Sequence, residues 1–149
     1  MNKPAKSVVD DLQASLVELI DLTLLGKQAH WNVVGPHFRS VHLQLDEVVD
    51  LGRLSSDRVA ERLATVGVAP DGRAATVGKK SPLPSFPEGF VPVTETVQFV
   101  SGAIETIADN MKARVRRMGD KDPVSQDILI NTTEELEKAG WMLRSQLTI

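Results

Sequence analysis

The 149-residue sequence predicts an all-α fold: a four-helix bundle of two helical hairpins joined by one long crossover between the second and third helices. Three observations point there. Apolar residues recur at three- and four-residue spacing through four long segments. Gly and Pro stand at the breaks between them. Residues 68–92 hold five of the eight Pro and separate the second segment from the third.

The first helix is predicted over 7–33, with Val9, Leu12, Leu16, Leu19, Ile20 and Thr23 in phase. Leu22, Leu24 and Leu25 widen its apolar surface beyond one stripe, which implies burial by more than its own chain. It stops near Gly35-Pro36. The second helix runs from about Pro36 to Val66, with Val41, Leu45, Val48, Val49, Val59 and Leu63 in phase and Gly67 as its stop. The crossover 68–92 is too long for a plain loop and holds a helical turn around Arg73–Val77. The third helix is expected over about 94–118. The fourth opens at Asp122-Pro123, a carboxylate cap followed by Pro at the first helical position, and reaches about Leu147. This connectivity is ferritin-like.

Composition bounds the rest. With 42% apolar and 25% charged residues, the chain reads as one domain, 1–149, with a short N-terminal tail at 1–6. No Cys is present, so thiolate metal sites and cysteine nucleophiles are excluded. No apolar run approaches the roughly 20 residues of a membrane span, and MNKPAKSVVDD lacks a secretory core, so the expected location is the cytoplasm. A net charge of −3 argues against nucleic-acid binding by bulk charge.

Chemistry concentrates in one place. All three His lie between residues 30 and 42, and His30 and His42 are each about six residues from the Gly35-Pro36 break. In an antiparallel hairpin they share one height and face each other. The second helix adds two i,i+4 pairs of metal-ligand type, His42/Asp46 and Asp57/Glu61. Asp46 and Asp57 fall within about 20° around the helix axis but roughly 16 Å apart along it, so one chain does not close a single site with both pairs.

An antiparallel second copy resolves this. Positions whose numbers sum to 103 come opposite each other: 42 with 61, 46 with 57, 50 with 53. His42 and Asp46 of one subunit then meet Asp57 and Glu61 of its partner, and Asp50 faces Arg53 near the two-fold axis. Imidazole with carboxylate suits iron, zinc or manganese. The plain alternative is a solvated polar face, with Asp50 and Arg53 a surface i,i+3 pair.

The run KQAHWNVVGPHFRSVHLQLDEVV, followed by Asp57-x3-Glu61, closely resembles the Dps family of ferritin-like mini-ferritins, and DPVSQDILINTTEELEKAGWMLRSQL resembles its closing helix. The resemblance implies a hollow dodecamer that oxidises Fe(II), usually with hydrogen peroxide, at two-fold interfaces and stores ferric mineral. It implies His30, His42 and Asp46 as ligands from one subunit and Asp57 and Glu61 from another. Trp31 matches the Trp beside that family's centre, and a large core residue is the competing reading. His37 has no place in the five-ligand pattern and is expected at a helix N-terminus or the surface. Asp127 aligns with an acid lining the three-fold pores; Asp122, near the same helix start, reads first as a cap.

Strong DNA binding is not expected, because Lys3 and Lys6 are balanced by Asp10 and Asp11 and Ile149 follows the last helix without a basic tail. Lys79-Lys80 and the group Lys112, Arg114, Arg116 and Arg117 are the remaining basic candidates, the latter fitting a helix C-terminus equally well. Besides the ferroxidase, two alternatives are a structural DNA-compacting protein and a metal-dependent amide or ester hydrolase at the same site.

Overall fold

Four long helices carry the fold, and a computed structural model describes residues 4–147 of the chain. Residues 1–3 of the predicted tail and the final residues 148–149 lie outside the described residues. Helix α1 spans Lys6–Asn32 and turns Leu12, Leu16, Leu19, Leu22, Leu25 and Ala29 into the core. Of the three leucines that widen its surface, Leu22 and Leu25 are buried, whereas Leu24 stands 57% exposed. A two-residue strand β1 (Val33–Val34) follows.

Helix α2 spans Phe38–Thr65, starting two residues later than Pro36. His37 takes its N-cap position with φ +62°, the left-handed region that non-glycine residues seldom enter. The end of α2 follows the sequence closely. Gly67 adopts φ +78°, its N–H donates to Ala64 O at 3.0 Å, and Val68 N–H donates to Leu63 O at 2.9 Å. This is a Schellman stop, and only Gly takes that conformation without strain.

The crossover contains a short helix α3 (Ala74–Lys80), longer than the expected turn, and ends in strand β2 (Val91–Pro92). β1 and β2 pair in parallel, Val33 with Val91 and Val34 with Pro92, a contact the sequence did not announce. Parallel pairing fixes the topology. β1 leads into α2 and β2 leads directly into α4 (Val93–Met118), so α2 and α4 start at the same end of the bundle.

The crossover therefore travels the bundle's length along α1. The Gln13 amide clasps Asp71 through both backbone groups, Asp21 accepts from Ser81 Oγ, and the β pair closes the path. Its anchor points on α1 and beyond, 13, 21 and 33, advance in step with 71, 81 and 91. Over those 20 residues α1 rises about 30 Å.

After a 3-10 turn at Gly119–Lys121, α5 spans Pro123–Arg144, and the chain then turns instead of continuing helically to Leu147. The core lies between the four long helices, around Leu45, Leu63, Ile104, Ile107, Met111, Leu129 and Leu136. One charged pair is buried within it. Arg114 donates to both Glu18 oxygens at 2.7 and 2.6 Å, with Ser15 and Asn110 completing the network, which ties α1 to α4 without a stranded charge.

Candidate metal centre

Close packing of α1 on α2 builds the site. Gly26 and Gly52 let the backbones approach: a Cβ at Gly26 would lie 2.9 Å from Val49 Cγ2, and one at Gly52 would lie 2.8 Å from Thr23 Cγ2. His30, in the last turn of α1, thereby meets His42, in the second turn of α2. Their rings stack with centroids 3.6 Å apart and 22° between planes.

The stack is locked reciprocally. His30 Nδ1 lies 2.7 Å from His42 O, and His42 Nδ1 lies 2.8 Å from His30 O. A carbonyl oxygen only accepts, so both Nδ1 atoms carry a proton, and in the neutral form of each ring the lone pair sits on Nε2. His30 is buried, yet among the described residues no buried side-chain nitrogen or oxygen lacks a partner. Its Nε2, which has no protein partner there, thus reaches the surface. Donation of one ring nitrogen to the backbone is the arrangement that orients an imidazole for a metal.

Asp46 adds a carboxylate one turn further along α2. Its Oδ1 lies 3.4 Å from His30 Nδ1 and 2.5 Å from Lys27 Nζ on α1. The Lys27 ammonium, followed by weaker attraction from His30, holds the Asp46 carboxyl below its usual range against the opposing effect of burial. Lys27 is a residue the sequence reading missed. It sits three positions before His30, on the same helix face, and that spacing was the available signal.

Asp57 and Glu61 are exposed further along α2, about 16 and 22 Å from Asp46 by helix rise. Asp57 borders an open groove floored by Leu16, Ile20 and Ala60. Among the described residues, no three His, Asp or Glu side chains gather closely enough to hold a metal within one chain. The structure therefore sets His30 beside both His42 and Asp46 without closing the three into a metal-holding group, and leaves Asp57 and Glu61 apart from them. Asp50 and Arg53 are both exposed on the same stripe, without an ion pair to each other among the described residues.

The remaining candidates take definite places. Trp31 is 66% exposed, so the core reading of this residue is wrong: His30 occupies the buried side of α1, and one residue of helix rotation turns Trp31 outward. His37 is exposed at the α2 N-cap, where its side chain caps nothing. Asp122 is the cap of α5, and both its oxygens also accept from Arg62 Nη2, at 2.9 and 3.0 Å, while Arg62 Nε donates to Ser125 Oγ. Asp127 is exposed and accepts from Asn131 Nδ2 at 3.0 Å.

The basic group at the end of α4 is mostly spent. Arg114 pairs with Glu18, Arg117 with Asp11, and Lys112 with Asp109 and Glu137. These cations serve packing between helices more than the helix C-terminus the sequence suggested.

Comparison with known proteins fits this architecture. A family model described as the ferritin-like domain matches residues 9–149. That match and the four-helix arrangement define the class as ferritin-like. The DNA protection during starvation protein of Mycolicibacterium smegmatis is 37% identical over 150 residues, covering 98% of this chain and 80% of that protein. The fine tangled pili major subunit of Haemophilus ducreyi is 36% identical over 140 residues, covering 94% and 74%. Among solved structures, Dps92 from Deinococcus radiodurans superposes with a TM-score of 0.93 at 36% identity, covering 96% of this chain and 87% of that one. Dps from Microbacterium arborescens in the high iron form gives 0.91 at 28% identity, covering 97% and 95%. The chain belongs to the Dps family of ferritin-like proteins.

Proposed function

We propose that the protein is a ferroxidase and iron store whose centres are shared between subunits of a hollow dodecamer. The observation that carries this reading is the reciprocal His30–His42 lock, which ties down both Nδ1 atoms and leaves both Nε2 atoms for a metal, with the Asp46 carboxylate next to the His30 ring. The exposed Asp57 and Glu61 supply the missing carboxylates when α2 meets a second α2 antiparallel across a two-fold axis. Asp50 then faces Arg53 of the other copy on either side of that axis. Family membership and the likeness to a Dps solved in a high iron form support iron as the substrate.

Carboxylates favour the more highly charged ferric product, and a small number of protein ligands leaves room for oxidant and water. Two Fe(II) ions give up one electron each to one hydrogen peroxide. Its O–O bond breaks, two protons are taken up and two waters leave. Pairing the electrons avoids release of hydroxyl radical. Before iron arrives, the Lys27 ammonium occupies Asp46, so Fe(II) binding competes with an internal cation. The exposed Trp31 stands next to His30, placed to intercept a stray oxidising equivalent. The exposed Asp127, bonded to the neutral Asn131 of its own helix, suits a ring of carboxylates around an iron entry pore, whereas Asp122 already holds Arg62 and Ser125.

Stopped-flow oxidation of Fe(II) by peroxide in the Asp57→Ala/Glu61→Ala variant tests the reading. The expected outcome is a rate loss of roughly tenfold or more, about 1.4 kcal/mol of barrier; an undiminished fast phase rejects the assignment. Several relatives are named for DNA protection, but direct DNA binding by this chain is not favoured, because three of the four cations at the end of α4 are paired internally. A mobility-shift assay at physiological salt is expected to show no complex.

A further inference from the structure

We infer that Phe38 is a positioning residue for the metal-binding imidazole of His42, an inference that rests on the metal-centre reading above. Phe38 is the first residue of α2 and lies one turn before His42 on the same face. Its ring packs on the His42 ring with centroids 4.9 Å apart and 33° between planes. The three rings of Phe38, His42 and His30 thus form one contiguous cluster, stacked between the imidazoles and tilted at Phe38.

The two imidazoles are not equally held. His30 is buried within the body of the bundle, whereas His42 is half-buried near the start of α2. That start is weakly secured: the N-cap His37 gives no side-chain hydrogen bond and sits in a left-handed conformation. The Nδ1 hydrogen bond to His30 O and the stacked His30 ring restrain the His42 ring from the α1 side. Phe38 adds a further ring contact from α2 itself. Phe38 N–H donates to Gly35 O at 3.1 Å, anchoring the residue that bears the ring.

Exposure argues for the same role. Phe38 is 41% exposed, so the monomer core gains little from it. An aromatic face also suits what happens at His42 when a metal binds. The imidazole gains partial positive charge, which the negative face of a neighbouring ring accommodates. Leu or Met at this position supplies apolar bulk but neither the flat restraint nor the quadrupole.

The test uses Co(II) alone, a redox-silent probe whose visible absorption reports its ligands, titrated into the assembled protein. His42→Ala establishes that the Co(II) signal belongs to the centre. Phe38→Leu is expected to weaken Co(II) binding about tenfold, as loss of an orienting neighbour does elsewhere. Phe38→Tyr, which keeps the ring, restores binding to about twofold of the unaltered protein. Peroxide-driven Fe(II) oxidation in Phe38→Leu shows a raised KM with kcat little changed.

The failures separate cleanly. If His42→Ala leaves Co(II) binding intact, the metal-centre reading falls. If His42→Ala weakens binding but Phe38→Leu matches the unaltered protein, only the Phe38 inference falls. Should Phe38→Leu and Phe38→Met both fail to assemble in sedimentation while Phe38→Tyr succeeds, the ring serves contact between copies and the inference is likewise overturned.

Discussion

Asp122 shows how one side chain secures two helices. Its carboxylate accepts from Ser125 N–H and Ser125 Oγ as the cap of α5, and both its oxygens accept from Arg62 Nη2 at the end of α2. Burial alone would raise its pKa, but the Ser125 and Arg62 hydrogen bonds outweigh that and hold it below the ordinary 3.8. The folded value being the lower one, the group contributes its full stability above pH 3.8 and loses it as the pH falls from there through the folded value. Asp122→Asn keeps a capping oxygen but loses the ion pair. It is expected to cost about 2 kcal/mol at neutral pH and to flatten the acid limb of the stability curve, both read by chemical denaturation across pH. The cap was legible because Asp followed by Pro is a local signal. Arg62, sixty positions away, was not, since nothing local marks a partner that only folding brings near. The core reading of Trp31 failed for a related reason: residue type suggests burial, while helix phase relative to His30 decides it.

At the scale of elements, the α1–α2 contact is set by two glycines in helix interiors. A Cβ on Gly52 would meet Thr23 Cγ2 at 2.8 Å and the Leu19 carbonyl at 3.3 Å. Thr23 is itself tied to Ile20 O at 2.6 Å, so neither neighbour yields freely. Gly52→Val is therefore expected to destabilise the protein by about 2 kcal/mol and, by spreading the helices, to weaken the His30–His42 lock. Thermal unfolding reads the first effect and Co(II) affinity the second. A Gly that costs helix stability in the middle of a strong helical pattern was a readable hint of close approach. The four long helices were legible because each repeats its apolar period several times. Helix α3 has only seven residues, too few for a period, and the β1–β2 pair exists only because the crossover returns beside the first hairpin. The Pro-rich crossover itself was legible from length; its track along α1 depended on Gln13 and Asp21, polar residues with no pattern of their own.

The whole molecule is where the stripe on α2 acquires meaning, because a self-complementary row needs a second copy. If Asp50 and Arg53 pair across the two-fold axis, Asp50→Arg alone and Arg53→Asp alone each set like charges opposite one another. Both are expected to shift sedimentation toward smaller species, and the double exchange is expected to restore assembly. Sharing of the metal centre has a sharper consequence. Let one variant carry Asp46→Ala and another carry Asp57→Ala with Glu61→Ala. Each alone breaks every centre. In a mixed pair, one centre combines both defects while the other combines the intact halves and works. Random mixing should therefore recover about a quarter of the native fast Fe(II) oxidation when the two are unfolded and refolded together, and none when they are merely combined after assembly. A centre built within one chain allows no such recovery under any mixing. Stopped-flow measurement of the fast phase thus distinguishes a shared centre from a private one without any need to see the metal.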